Sequence, residues 1–153
     1  MVKPAILSTG LLAAPIHSLH ITALNLTAIA ASNGKSTLEC WQVGPLKTSS
    51  AAGSIGSPFY SLGDVADVTF VLFVSGMAHI TLPDGSDEVT IQGGKKGLIL
   101  ATDTADVSMQ GHLTQFPSNE NTVALQMPIK DPEKFRHTVL HSGGCHEVEM
   151  SGL

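Results

Sequence analysis

Hydrophobic and polar positions alternate along this chain in short runs, and almost none of the runs repeats at the period of about 3.6 residues that marks a helix. Turn residues interrupt the runs about every ten positions, as is typical of strands joined by tight turns. The clearest pair is HITALNLTAIA at 20–30 and STLECWQV at 36–43, which flank Asn33-Gly34, a favoured hairpin turn. The pattern predicts an all-β domain of about nine to eleven short strands, a sandwich or a barrel.

The remaining predicted strands share β-rich composition and flanking turn residues, and they are residues 67–82, 87–92, 98–102, 105–109, 111–116, 122–129 and 137–141. One helical turn is predicted at KDPEKF, residues 130–135. Residues 44–57 are rich in Gly, Ser and Ala, which suggests either a mobile lid or a disordered connector. GGKKG at 93–97 lacks the spacing of a phosphate loop, so a hairpin turn is expected there.

Length and composition limit the classes of function. The chain has 153 residues, enough for one domain, and its 42% hydrophobic and 14% charged content excludes a disordered or coiled-coil chain. The net charge of −5 and the scattered lysines argue against a nucleic-acid partner. FVLFV at 70–74 is far shorter than the roughly 20 residues of a membrane span, so no membrane segment is expected there.

Three features bear on the cellular compartment. Residues 1–18 have the length of a signal peptide but lack a clean cleavage site, so they are a signal peptide or an N-terminal extension. Asn25-Leu26-Thr27 is an N-glycosylation sequon, and Cys40 and Cys145 are the only cysteines. We expect a secreted glycoprotein with a Cys40–Cys145 disulfide. A cytoplasmic protein with two buried thiols, or with a reactive or metal-binding cysteine beside His141 and His146, is the alternative.

The segment from Phe70 to Met127 resembles the cupin superfamily. It has a strand that ends in glycine (VLFVSG), a Pro-Asp-Gly hairpin turn, and GHLTQFPSNENTVALQMP with His112 at the position of the histidine in the second cupin motif. LECWQ, SGMAHITLPDG, GGKKGLILATDTA, GHLTQFPS and VLHSGGC look like small secreted cupin-like proteins of fungi. The resemblance implies one cupin-like β-barrel, a double-stranded β-helix or jelly roll, over residues 19–153. It also implies a homodimer that pairs through an edge strand.

The metal ligands that the resemblance leads one to expect are absent from their usual positions. Counting back from Gly76 puts Thr69 where a metal-binding cupin has glutamate, and no histidine at 62–65, where it has two. His112 alone remains, with Asp64 as a second ligand only if the register slips. Because a selective metal site needs at least three protein ligands, we expect no metal and no cofactor.

The interior of the expected barrel is then mostly apolar, with one or two imidazoles, which suits a small organic ligand. Strand alternation places His79 on the face of Thr69, unless a bulge at Ser75-Gly76 reverses it. His112 shares a face with Thr114 and Phe116. The candidate catalytic residues are His112 and His79, and the candidate substrate-binding residues are Thr69, Val71, Phe73, Met77, Thr114, Phe116, Leu125 and Met127. The alternative is that each histidine is a hydrogen-bonded core residue.

These residues suggest three functions. The first is a metal-independent isomerase or cyclase of secondary metabolism, in which a histidine moves a proton of an apolar metabolite. The second is a secreted binding or interaction protein without chemistry. The third is a metal-dependent cupin enzyme with ligands at unusual positions. Asp64, Asp67 and Asp103 are candidates for polarising the histidines, although each lies at a strand end, where turn formation is the ordinary role.

Overall fold

The computed structural model describes residues 23–45, 68–129 and 136–151. Several expectations fall outside these ranges, namely the segment 1–18, most of the loop 44–57, the positions 62–65, Asp67 and the helical turn at 130–135. Among the described residues, no helix is long and apolar enough to cross a membrane.

The described residues form nine strands and no helix, which confirms the all-β prediction. The strands are β1 (Leu24–Ser32), β2 (Lys35–Val43), β3 (Thr69–Ser75), β4 (Met77–Thr81), β5 (Glu88–Gln92), β6 (Leu98–Ala101), β7 (Leu113–Gln115), β8 (Val123–Pro128) and β9 (His137–Ser142). They make a six-stranded sheet in the order β8-β3-β6-β1-β2-β9 and a three-stranded sheet in the order β5-β4-β7.

The β1–β2 hairpin follows directly from the sequence. Its antiparallel register runs without a shift from Leu24 opposite Val43 to Ser32 opposite Lys35. Asn33 and Gly34 have φ angles of 53° and 77°, the left-handed conformations that a tight type I′ turn requires and that Asn-Gly adopts readily. The predicted hairpin is therefore confirmed, and its turn points toward the site described below.

The pairing of the sheets is less regular than a wholly antiparallel jelly roll. β1 pairs with β6 in parallel, through Thr27–Ile29 and Ile99–Ala101, whereas β3 pairs with both β6 and β8 in antiparallel fashion. In the described ranges, the two sheets share no hydrogen-bonded ladder. The described residues thus form two packed sheets, and they do not by themselves show a closed barrel.

The six-stranded sheet has two apolar faces. Its inner face packs Ile29, Leu38, Phe73 and Ile99 against Ala78, Ile80 and Ile91 of the three-stranded sheet. Its outer face holds a second cluster, which includes Leu26, Ala28, Trp41, Phe70 and Leu100. Successive side chains of a strand alternate between these faces, so six of the nine residues of β1 are buried.

Between β3 and β4, the residues that face the inner core change from odd-numbered to even-numbered. The sequence predicted one continuous strand here. Gly76 has a φ of 76°, and a side chain there would meet the backbone of Thr122, with Thr122 Cα only 2.6 Å from the added Cβ. Before Gly76 the odd-numbered Phe73 faces the inner core, and after it the even-numbered Ala78 and Ile80 do. The sequence predicted that a bulge at Ser75-Gly76 would exchange the two faces of the following strand. This exchange is the observed arrangement.

Residues 105–109 form a turn, and the prediction of a strand there is wrong. The backbone N–H groups of Val107 and Ser108 donate to the carbonyl of Thr104, at 3.0 and 2.9 Å. Ser108 makes only an isolated parallel bridge with Gly34 at the tip of the first hairpin. This turn brings the loop after β6 beside the hairpin.

Cys40 and Cys145 form the expected disulfide, across 105 positions of sequence. Cys40 lies on the inner face of β2, and Cys145 follows β9. The backbone N–H of Cys145 donates to Thr27 Oγ1 at 3.0 Å, and Thr27 is fully buried. The bridge therefore ties the C-terminal segment to the central hairpin.

Candidate functional site

His112 faces a buried carboxylate. Its Nδ1 lies 2.8 Å from Asp103 Oδ2, and the Asp103 side chain is only 4% exposed, while that of His112 is 25% exposed. A carboxylate accepts hydrogen bonds only, so Nδ1–H donates to Asp103 and leaves Nε2 as the atom available for proton transfer. Asp103 was considered as a polarising group from sequence, and the structure places it in contact with His112.

Two serines complete a directional chain of hydrogen bonds behind this pair. Ser36 Oγ donates to Asp103 Oδ2 at 2.6 Å and lies 2.8 Å from Ser108 Oγ. Ser36 has a single hydroxyl proton, which it donates to Asp103, so Ser108 donates to Ser36. Ser108 Oγ in turn accepts from the N–H of Gly111 at 3.1 Å. The chain fixes both the carboxylate and the backbone next to His112.

Three separate parts of the fold supply this network. Ser36 lies at the start of β2, Asp103 and Ser108 belong to the loop after β6, and His112 directly precedes β7. The backbone N–H of Met109 donates to the carbonyl of Gly34 at 3.1 Å, which holds the loop against the hairpin tip. Ser36 and Ser108 gave no signal in the sequence, since 72 positions separate them and both are common turn residues.

His79 lies elsewhere. It is on the side of β4 opposite Ala78 and Ile80, and its register partners on the neighbouring strands are Thr90 and Gln115. Its Nε2 is 3.3 Å from Glu88 Oε2, and the Glu88 side chain is 70% exposed. His79 therefore does not share the inner face with Thr69, because the chain reverses at Gly76, which is the alternative that the sequence left open. The catalytic assignment of His79 stays a prediction without support from this geometry.

The residues expected to line a cavity are divided between surfaces. Thr69, Val71 and Phe73 have the parity of the inner face of β3, and the last two pack in the inner core. Met77 follows the reversal and is only partly buried on the far side of β4. These four residues therefore do not form one wall.

The other four expected lining residues are also separated. Leu125 and Met127 pair with Leu72 and Phe70, and so lie on the outer face of the six-stranded sheet. Thr114 pairs with Ile80, and both Thr114 and Phe116 are exposed. The eight expected lining residues therefore do not share one apolar face. Alternation within a strand predicts which residues share a side of that strand, but it does not say how the sides of different strands are combined.

A third histidine–carboxylate pair, His141 and Glu149, lies beside the disulfide. His141 Nδ1 donates to the Ser142 carbonyl at 2.9 Å, and Nε2 is 3.2 Å from Glu149 Oε2. The Ser142 carbonyl and then Glu149 raise the pKa of His141 above its ordinary value. The N–H of His146 donates to Glu149 at 2.7 Å and is the main cause of a lowered pKa for that carboxyl.

The same cluster contains a group of side chains with the atom types that bind metal ions. Ligand atoms of Cys40, His141 and Glu149 all lie within 4.8 Å of one another. Cys40 Sγ is bonded to Cys145, however, and a disulfide sulfur is not the thiolate that binds zinc. With the disulfide formed, this cluster offers two ordinary ligands, fewer than the three that a catalytic zinc site uses.

Comparison of the chain with models of protein families, with curated proteins and with solved structures gives no match. Of the described histidine–carboxylate pairs, His112–Asp103 combines the shortest contact with the most buried carboxylate.

Proposed function

We propose that the protein is a metal-independent enzyme that moves a proton on a small organic substrate, an isomerase or cyclase, with His112 as its general acid or base. The observation that carries the proposal is the contact between His112 Nδ1 and the buried Asp103 carboxylate at 2.8 Å. A buried carboxylate that holds an imidazole in one tautomer is a recurring arrangement for proton transfer.

The reaction needs no redox partner. His112 Nε2 accepts a proton from a carbon next to a substrate carbonyl, and the electron pair of the broken C–H bond moves into the carbonyl system. The imidazolium then returns the proton to another carbon of the same substrate, so that a double bond is shifted. The Asp103 carboxylate accepts from Nδ1–H and stabilises the transient imidazolium. Ser36 holds Asp103 in place by donating to the same oxygen.

The chain segment next to His112 in sequence carries exposed apolar side chains. Met109, Leu113 and Phe116 are 87%, 59% and 58% exposed. Exposed apolar side chains are typical of surfaces that bind other molecules, so this segment favours an apolar substrate. Pathways of secondary metabolism, which form and rearrange such molecules, remain the proposed context.

The cupin-like jelly roll is part of the same proposal. The resemblance of residues 70–127 and the packing of two β-sheets support it, and the parallel β1–β6 pair is a departure that the proposal has to accommodate. We also propose a homodimer formed through an edge strand. β8 borders the six-stranded sheet, and its Val123 and Leu125 are 49% and 53% exposed.

Deuterium exchange tests the catalytic proposal before the natural substrate is known. A panel of small ketones, enones and lactones is incubated with the protein in D2O, and incorporation at the carbon next to the carbonyl is followed by NMR. We expect exchange for at least one apolar compound. His112→Gln should slow it by about 100-fold or more, the usual contribution of a general base. Asp103→Asn should also slow it, because an amide can hold the wrong tautomer.

The matched control is His146→Gln, which removes an exposed histidine outside this network. It should leave the exchange rate unchanged. An unchanged rate in folded His112→Gln protein would reject His112 as the proton-transfer group, and no exchange with any compound would reject proton transfer at carbon within the panel.

A second candidate function is a secreted binding protein without catalysis. The Cys40–Cys145 disulfide favours it, because such bonds persist mainly in oxidising compartments. Asn25 of the sequon lies in β1, where its Oδ1 accepts from Gln42 Nε2 at 3.1 Å, and its glycosylation stays a prediction. This candidate predicts that a bound compound leaves the protein without deuterium and without rearrangement.

A further inference from the structure

A cavity of about 320 Å³ opens on the outer face of the six-stranded sheet, and its described lining does not include His112. This lining includes Ala30, Glu39, Trp41, Thr102, Val107 and His137. The volume is at the lower end of the range for small-molecule sites. Thr102 and Val107 belong to the loop that also carries Asp103 and Ser108.

Two aromatic rings form one side of the cavity. The rings of Trp41 and His137 are stacked, with their centroids 3.5 Å apart and their planes within 5° of each other. Trp41 Nε1 donates to Glu39 Oε2 at 2.6 Å, which sets the carboxylate beside the stacked pair. Thr37 Oγ1 donates to the other oxygen of Glu39 at 3.3 Å. The position of the carboxylate is therefore fixed from two sides.

The described lining carries one acidic side chain, Glu39, and no lysine or arginine. His137 is its other titratable residue, and burial lowers the pKa of His137 despite the opposing effect of Glu39. The lowered pKa favours the neutral imidazole over the imidazolium.

We propose that this cavity binds a small alkylammonium cation. A carboxylate and an aromatic face within one cavity are the two features that recognise such cations, the first by charge and the second by cation–π attraction. A quaternary ammonium group has no N–H to donate, so it needs neither of the Glu39 lone pairs already used by Trp41 and Thr37. The proposal concerns a binding site and does not depend on the activity of His112.

The chain provides its own reporter, since Trp41 is its only tryptophan and lines the cavity. Choline is titrated into the intact protein and Trp41 emission is recorded. The same titration is made with 3,3-dimethylbutan-1-ol, which has the shape of choline with a carbon in place of the charged nitrogen. We expect choline to change the emission and to bind at least about tenfold more tightly than its neutral counterpart.

The matched variants are Glu39→Gln and Glu88→Gln. Glu39→Gln keeps an oxygen for Trp41 Nε1 but removes the charge, so choline binding should weaken about tenfold or more. Glu88→Gln removes an exposed carboxylate on the other sheet and should leave choline binding unchanged.

Equal affinity for choline and the neutral alcohol would overturn the proposal, as would choline binding that persists in folded Glu39→Gln protein. A native protein whose emission responds to neither compound would also overturn it. The comparison of the two probes in the native protein decides the matter even if Glu39→Gln does not fold. Because none of these readouts involves His112, failure here is distinguishable from failure of the catalytic proposal.

Discussion

The inner face of β2 ends in two different polar clusters, one at Ser36 and one at Cys40. The residues alternate so that Ser36, Leu38 and Cys40 share this face, which puts the clusters about 13 Å apart on either side of the apolar core. Each contains a histidine–carboxylate pair. At Ser36 the carboxylate of Asp103 is 4% exposed, whereas near Cys40 that of Glu149 is 34% exposed.

An imidazole and a carboxylate are therefore expected to have different roles in the two clusters. The Asp103 cluster contains no covalent link, so its geometry depends on hydrogen bonds in a buried environment, where each bond is expensive to lose. The Glu149 cluster adjoins the disulfide, and its ion pair is close to solvent, which screens the attraction. An oriented histidine is thus expected at Asp103, and a stabilising surface pair at Glu149.

The largest expected effect is the loss of the covalent link at the Cys40 end. The double substitution Cys40→Ala and Cys145→Ala should lower the free energy of unfolding by about 4.7 kcal/mol, the chain-entropy value for a loop near 100 residues. Guanidinium denaturation of the oxidised native protein and the variant measures it. If the midpoint hardly moved, the C-terminal segment would be held by its other contacts, including the Cys145 N–H to Thr27 bond.

The buried carboxylate should come next. Asp103→Ala removes the acceptor of both Ser36 and His112, so we expect a loss of about 3 kcal/mol in the free energy of unfolding. The comparison variant Glu149→Ala removes the half-buried carboxylate of the other pair and should have a much smaller effect. Equal losses measured by urea denaturation would contradict the distinction between the two clusters.

Much of the fold was predictable because its signals are local. Asn33-Gly34 between two alternating runs determines the first hairpin, and the only two cysteines of the sequence form the disulfide. The reversal at Gly76 was foreseen only as an alternative. SGMAHITL continues the alternation without a break, and the close approach of Thr122 to Gly76 comes from a segment 46 positions away.

The candidate site was predictable only in part for the same reason. His112 was found from a local motif, and Asp103 from its place at a strand end nine positions earlier. Ser36 contacts Asp103 across 67 positions, and that contact depends on the parallel β1–β6 pairing, which no short pattern encodes. The pairing of β2 with β9 brings Trp41 and His137 together, so their stacking could not be predicted from the sequence either.

The smallest expected effect is the pH dependence of stability that arises from the His141–Glu149 pair. His141 has a pKa raised above 6.5, so its contribution to stability is present below pH 6.5 and is lost as pH rises through its folded-state pKa. Glu149 has a pKa lowered below 4.5, so its contribution is present above pH 4.5 and is lost as pH falls through its folded-state pKa. Both contributions are therefore complete only between about pH 4.5 and 6.5.

NMR titration of the histidines in native and Glu149→Gln protein checks this window. In Glu149→Gln, the pKa of His141 should fall only part of the way toward 6.5, because the Ser142 carbonyl, its largest cause, remains. His137 provides an internal reference, since burial lowers its pKa below 6.5 in the same spectrum. A His141 that already titrates at or below 6.5 in the native protein would show that its contacts with Ser142 and Glu149 do not favour the imidazolium. The His141–Glu149 pair would then contribute little to the order of this cluster, and its contrast with the hydrogen-bonded Asp103 cluster would be sharper.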